Sequence, residues 1–301
     1  MSGDAIVTDR LGMRFGKHVV LDGLELRVPR GSVYALIGSN GAGKTTTLQI
    51  LMNLLRGYSG AASVLGVESR HLGVREYARI GYVSEGQEMP DGMTVSEFLA
   101  FWRPFYSTWD LARERERELL DLFRLPMERK LKHLSRGMRM KAALVSSLAY
   151  RPELIVLDEP FSGLDPLVRD EFIEGLLAHA EESTILISSH DLAEIESFAS
   201  HVGFLDEGRM QFSEEMAVLA ERFREVEVTV DIASLPSGLP ATWVRTEASP
   251  ALVRFVETQW DAGRTARDVA EVFPGARGVE VRAMSLRSIF VALAKTARKA
   301  A

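Results

Sequence analysis

The run Tyr34-Ala35-Leu36-Ile37-Gly38-Ser39-Asn40-Gly41-Ala42-Gly43-Lys44-Thr45-Thr46-Thr47 constrains this chain more than any other stretch. Apolar residues pass directly into glycines, and the glycines into a lysine and three threonines. Glycine lacks a Cβ, so the backbone from Gly38 to Gly43 is free to curl until several N–H groups point inward at one anion. Lys44 adds a positive charge, and Thr45 a hydroxyl where a Mg²⁺ ion shared with phosphate oxygens would take an oxygen ligand. The amphipathic run Thr45 to Leu55 predicts a helix whose N-terminus faces the same anion. An ordinary glycine-rich turn is the competing reading, and the buried-type strand before it and the helix after it favour a phosphate cradle.

Two later strands carry polar tips. Leu154-Ile155-Val156-Leu157 is a continuous apolar run, as expected of a parallel strand buried on both faces, and it ends in Asp158 and Glu159. Ligands of open α/β sheets sit at that carboxyl edge, so Asp158 is placed to hold Mg²⁺ and Glu159 to orient and deprotonate a water. Thr184 to Ser189 repeats the design and ends at His190, placed to contact a terminal phosphate, whereas His18, His133 and His201 have no such placement. Ser162, Gly163, Leu164 and Asp165 form a tight loop into a helix from Leu167 to Ala180, and Ser135 is a natural N-cap for a helix running to Tyr150.

Between these landmarks, Ala5 to Arg30 predicts short antiparallel strands broken at Gly12, Gly16, Gly23 and Pro29. Phe15 is placed either to stack on a flat purine or to pack on that small sheet. Further strands are predicted over Ala62 to Val67 and Arg79 to Val83, the second leaving through Ser84-Glu85-Gly86-Gln87. Thr94 and Glu97 predict a capping box, and Leu111 to Leu125 a charged amphipathic helix. Phe101, Trp102, Phe105, Tyr106 and Trp109 surround Pro104 and read as the core of this helical insertion or as a docking patch. Val202 to Leu205 and a helix from Ser213 to Arg224 close the first part. A boundary falls near Glu225, because Val226, Val228, Val230 and Ile232 alternate with polar residues, as in a half-exposed antiparallel strand. Strands over Ala251 to Val256 and Val279 to Ala283, with helices from Thr265 to Phe273 and from Leu286 to Arg298, complete a small α+β appendage without a catalytic constellation.

Composition removes several classes. With 36 Lys+Arg against 42 Asp+Glu the net charge is −6, which speaks against a broad grip on nucleic acid. There is no cysteine, so disulfides, thiolate metal sites and a cysteine nucleophile are out, and a reducing compartment suits the chain. No stretch of eighteen apolar residues occurs, nor a signal-like N-terminus, so the polypeptide is not expected to cross a bilayer itself.

The ordered set Gly38 to Thr46, Leu134 to Met138, Leu154 to Glu159, Ser162 to Asp165 and His190 resembles the ATP-binding subunit of an ABC transporter, over about residues 4–220. In two departures from the common pattern and in Phe105-Tyr106-Ser107-Thr108-Trp109 it is most like subunits serving ABC-2 type exporters. The departures are Arg136 and Met138 within Leu134-Ser135-Arg136-Gly137-Met138, where the family usually has Gly and Gln, and Glu85, where it usually has glutamine; Gln87 follows two positions later. The resemblance implies an α/β P-loop NTPase core over 1–224, with a mainly parallel sheet, an antiparallel N-terminal β subdomain and a helical subdomain over about 86–150. An accessory α+β domain over 225–301 would follow.

It further implies that Phe15 stacks on adenine and that Lys44 and the backbone of Gly38, Ser39, Asn40, Gly41, Ala42, Gly43, Thr45 and Thr46 hold the phosphates. Thr45, Asp158 and Glu85 would serve Mg²⁺, Glu159 would be the base, and His190 the γ-phosphate contact. Ser135 and Gly137 would reach ATP bound to the opposite subunit, with Asp165 also among the nucleotide-binding residues. Implied partners are a separate transmembrane permease subunit and a second ATPase, in a homodimer or a paralogous pair, at the cytoplasmic face of the cell membrane and without nucleic acid. Three rivals remain: a soluble cassette ATPase of translation or DNA repair, opposed by the single cassette and the negative net charge; a P-loop kinase or GTPase, opposed by the lack of visible phosphate-acceptor or guanine-reading residues; and a nucleotide-gated interaction module, opposed by intact Glu159 and His190. Lys44→Ala is expected to weaken nucleotide binding, read by titrating the purified protein with ATP.

Overall fold

The computed structural model describes residues 3–109, 113–178, 183–232 and 234–300, and it divides into two units, one ending at Ser213 and the other starting at Glu214. In the first unit β1 (Asp4–Phe15) and β2 (His18–Pro29) form an antiparallel hairpin, extended by β4 (Ser59–Val64) and β5 (Val67–Glu68) into a sheet of order β2-β1-β4-β5. The expected short strands are two long ones. Gly12 and Gly23 do not end them: register shifts flank both, and Gly23 has φ +69°, so each glycine takes up an irregularity within a continuing ladder.

The second sheet holds the cradle strand. Its order is β10-β9-β3-β8-β7-β6, with β3 (Val33–Ile37) at the inside, between β8 (Thr184–Ser189) and β9 (His201–Asp206). Next come β7 (Leu154–Asp158) and β6 (Ile80–Val83), while β10 (Arg209–Glu215) forms the far edge. The pairs β3/β8, β3/β9, β7/β8 and β6/β7 are parallel, and β3, β7 and β8 are buried at every position, which is why they read as unbroken apolar runs. Their register puts Ile37 opposite Ser189, and Leu36 and Asp158 both opposite Ser188, so three polar tips emerge at one level.

Helix α1 (Lys44–Leu51) follows the cradle and buries Leu48, Ile50 and Leu51 in a core shared with Leu24, Leu26, Leu36, Val156 and Leu186. After α2 (Val74–Tyr77), helix α3 (Val95–Trp102) begins at the expected capping box: Glu97 N–H donates to Thr94 Oγ1, and Thr94 N–H to Glu97 Oε2. Then come α4 (Arg113–Phe123), α5 (Arg136–Leu148) and α6 (Pro166–Leu177); the expected starts at Leu111 and ends at Ala180 lie outside the described residues. The aromatic run divides. Trp109 is fully buried and donates to Glu116, and Tyr106 stacks on Tyr150 at 3.7 Å between centroids, whereas Phe101 and Phe105 stay 46% and 61% exposed.

In the second unit a short helix, α7 (Met216–Arg222), replaces the longer one expected from Ser213, because the preceding residues continue strand β10. A sheet of order β12-β13-β11-β14 follows, built from β11 (Arg224–Thr229), β12 (Trp243–Ser249), β13 (Leu252–Glu257) and β14 (Gly278–Ala283), with α8 (Ala262–Val272) and α9 (Leu286–Ala300). Val226, Val228, Trp243, Val253, Phe255, Val269 and Phe273 form its core. Strand β12 was not expected, since its polar, half-exposed residues show no alternation.

Close packing at β9 is testable. A Cβ on Gly203 would lie 2.2 Å from the Tyr34 hydroxyl, which itself bonds to Ser213 Oγ at 2.6 Å. Gly203→Ala is expected to cost about 1–3 kcal/mol through overpacking, and Tyr34→Phe in the same chain to return at least half of it, read as thermal midpoints of the two variants.

Candidate functional site

Three backbone constraints shape the loop after β3. A Cβ on Gly38 would lie 2.2 Å from the Leu205 carbonyl oxygen, one on Gly43 would lie 2.6 Å from Leu21 Cδ2 and 3.0 Å from the Val20 carbonyl oxygen, and Gly41 and Gly43 take φ of +85° and +107°. Only glycine suits both demands. The loop is pinned elsewhere too: Ala42 N–H donates to Ser39 O, Gly208 N–H to Ala42 O, and Thr47 Oγ1 to Gly43 O. Lys44, nearly buried, lays its ammonium on the carbonyls of Gly38 (2.7 Å) and Ser39 (3.2 Å).

The tips of β7 and β8 meet this loop. Ser188 Oγ donates to Asp158 Oδ1 at 2.6 Å and accepts from Glu159 N–H at 2.9 Å, and Thr45 Oγ1 donates to the same Asp158 oxygen at 3.2 Å. Glu159 has φ +48°, a left-handed conformation that costs a non-glycine residue about 1 kcal/mol or more. The turn aims its carboxylate back at the cradle: Oε1 is 3.1 Å from Lys44 Nζ and Oε2 is 2.7 Å from His190 Nδ1. A buried acid is thus held between the Lys44 ammonium and the His190 imidazole.

Burial raises the Asp158 carboxyl above its ordinary range, a shift that the hydrogen bonds from Ser188 and Thr45 oppose and the neighbouring Glu159 charge reinforces. The hydrogen bond to Glu159 raises His190, against a lesser downward pull from burial and Lys44. Burial also raises Glu194, which accepts from Ser189 Oγ just beyond.

A cavity of about 550 Å³ opens over this group, lined by His18, Val20, Asn40, Gly41, Gly43, Lys44, Thr45, Thr46, Glu85, Glu159, Ser162 and His190. Gly38, Ser39 and Ala42 form the loop behind the lining, and Asp158 lies buried beneath Thr45. Glu85 reaches the cavity, while Gln87 lines two other depressions, one beside α5 and one between Tyr77 and Tyr106.

His18 is the unexpected member. The hairpin turn at Gly16-Lys17 sets Phe15 directly opposite His18, so the residue paired with the expected base-stacking position reaches the cavity wall, while Phe15 is 51% exposed and not part of it. A two-residue turn between two aromatic rings was the signal available.

Besides Phe15, three expected residues lie apart from the cavity. Ser135 caps α5 by accepting from Met138 N–H, Asp165 caps α6 by accepting from Val168 N–H, and Gly137 is buried where a Cβ would lie 2.8 Å from Val168 Cγ1. Arg136 lays its guanidinium beside Gly163, which joins the two caps into one neighbourhood.

The donor set fits a hard divalent cation with phosphate. Thr45 and Asp158 offer a hydroxyl and a carboxylate on one spot, and among the described residues no cluster of three His, Cys, Asp or Glu side chains forms a cage of its own. Two protein oxygens suit Mg²⁺, which completes its shell with phosphate oxygens and water.

Comparison with known proteins agrees with this geometry. The family described as ABC transporter matches residues 21–162. The chain is 30% identical to the daunorubicin/doxorubicin resistance ATP-binding protein DrrA of Streptomyces peucetius, over 96% of this chain and 92% of that one. It is 35% identical to the Nod factor export ATP-binding protein I of Burkholderia lata, over 76% and 75%. A solved ATP-binding subunit of an ABC transporter superposes with a TM-score of 0.66 at 28% identity, over 72% of this chain and 92% of that one.

The buried aspartate sets a pH test. With its native pKa raised, Asp158 contributes stability that is whole below the unfolded value of about 3.9 and lost as pH climbs through the native value. Asp158→Asn removes that loss. The variant is therefore expected to be at least as stable as the parent at neutral pH, the gap closing in acid, in urea unfolding without nucleotide across a pH series.

Proposed function

Since the chain belongs to the ATP-binding subunits of ABC transporters, binding and hydrolysing ATP, we propose that it powers export through a separate transmembrane subunit. Subunits of this family work in pairs with membrane partners. Relatives named for drug resistance and for Nod factor export support the export direction. No helix among the described residues is long and apolar enough to cross a membrane, so passage through the bilayer falls to the partner. The working place is then the cytoplasmic face of that membrane.

The observation that carries the reading is the contact of Glu159 with both Lys44 and His190 at the cavity floor. The loop N–H groups from Ser39 to Thr46 and Lys44 bind the β- and γ-phosphates, Lys44 turning from Glu159 to the anion as it arrives. Thr45 and Asp158 would hold Mg²⁺, with Glu85 among the cavity lining; the ion would supply charge neutralisation at the phosphate oxygens. Glu159 positions the attacking water and takes its proton. His190, kept protonated to higher pH by Glu159, holds the carboxylate and donates toward the γ-phosphate.

The base is taken up beside the hairpin turn, where His18 lines the cavity and Phe15, paired with it, is exposed and available to stack. Ser135, Gly137 and Asp165 stand outside the cavity and suit ATP bound to a second subunit, in a homodimer or a paralogous pair. Binding energy available only in the closed pair shifts the membrane subunit, because a ligand moves an equilibrium only by its differential affinity. That subunit docks on the depression lined by Leu54, Tyr77, Tyr82, Trp102 and Tyr106, where among the described residues Gln87 Oε1 and Trp102 Nε1 have no hydrogen-bond partner.

Glu159→Gln keeps the shape of the acid and loses the base. Its ATP turnover is expected to fall about 100-fold or more while ATP binding persists and dimers accumulate, read by steady-state phosphate release and by sedimentation with ATP and Mg²⁺. Turnover at the parent rate would falsify the assignment.

A further inference from the structure

The second unit ends its sheet on an edge that ordinary sheet design would blunt. Strand β14 pairs with β11 along its whole length, from Thr229 opposite Gly278 to Arg224 opposite Ala283, without a register shift, and among the described residues no strand pairs with its outer side. All six residues are exposed. Native proteins protect such edges with charged side chains, lysine above all, with proline or with a bulge; Gly278-Val279-Glu280-Val281-Arg282-Ala283 has no lysine, proline or bulge, and its two charges are of opposite sign, so a second copy of the strand is not repelled in every register.

Its two faces differ. Val279 and Val281 continue the face of Val228 and Val226, their partners in register; those are fully buried, yet Val279 and Val281 are 46% and 40% exposed. The other face carries Glu280 and Arg282, which contact each other at 2.9 Å, with Glu227 3.5 Å from Arg282.

We infer that β14 is a self-complementary edge through which two copies of this chain join their second-unit sheets in antiparallel fashion. A two-fold axis at Val281 makes the strand its own partner: Val281 faces Val281, Val279 faces Ala283, and Glu280 of each copy faces Arg282 of the other. Opposite charges fall opposite each other twice, and the exposed valines extend both cores into one. The neighbouring registers fail this test, since a shift by one residue on either strand puts valine against a charge and by two sets like charges or a charge and glycine together. Charge complementarity therefore commits the edge to a second copy. The inference is independent of the ATP reading, because it concerns association without nucleotide.

The test uses the full-length chain without nucleotide. In sedimentation equilibrium, Glu280→Arg and Arg282→Glu are each expected to weaken self-association about tenfold or more, since each turns two attractive pairs repulsive. Glu280→Arg combined with Arg282→Glu restores the pairing and is expected to restore the dimer. The native chain has no cysteine, so Val281→Cys introduces a lone thiol at the axis, expected to give a covalent dimer with a short bis-maleimide, while Val74→Cys, at a highly exposed site of the first unit, gives none. A nucleotide-free chain that is monomeric at every concentration, single swaps that leave association unchanged, or a double swap that fails to restore it overturns the inference.

Discussion

The hydroxyl of Ser188 ties the site together. It donates to Asp158 and accepts from the N–H of Glu159, so one atom holds the tips of β7 and β8 in step and keeps the two acids pointing in different directions. That bond exists because parallel register sets Asp158 opposite Ser188, and the same strand sets Ser189 opposite Ile37, the last residue before the cradle. Without that alignment Glu159 would have no reason to adopt a left-handed backbone, and its carboxylate would not lie between Lys44 and His190.

Burial then gives the two neighbouring acids different work. Asp158 is wholly covered and offers one oxygen to two hydroxyls, which suits a group that receives a cation. Glu159 faces the cavity and has its oxygens engaged by separate side chains, Lys44 and His190, which suits a group that must be released before it acts. Identical chemistry at adjacent positions is separated by a single backbone dihedral.

Much of this was legible in the sequence. Buried parallel strands are apolar runs by necessity, so Val33 to Ile37, Leu154 to Leu157 and Thr184 to Ile187 announced themselves, and their polar tips marked the edge where a site forms. The capping box at Thr94 and Glu97 was equally plain. Less readable were features that depend on pairing rather than on local pattern. His18 enters the cavity only because a two-residue turn sets it opposite Phe15. Gly12 and Gly23 looked like strand ends because glycine marks turns and bulges alike. Strand β12 is half exposed and polar, so no alternation betrayed it, and β10 ran on into residues that read as helix.

The cradle's shape comes from its neighbours. Gly43 and Gly208 both bring bare backbone against Val20, while Gly38 rests on Leu205, so the phosphate loop is gripped between two strands that belong to different sheets. A loop moulded in this way has its amide groups preorganised, and little of the ordering entropy that a floppy loop would forfeit is deducted from affinity. Changes at Val20 or Leu205, which touch no phosphate, therefore belong among those that alter how tightly the chain holds its fuel.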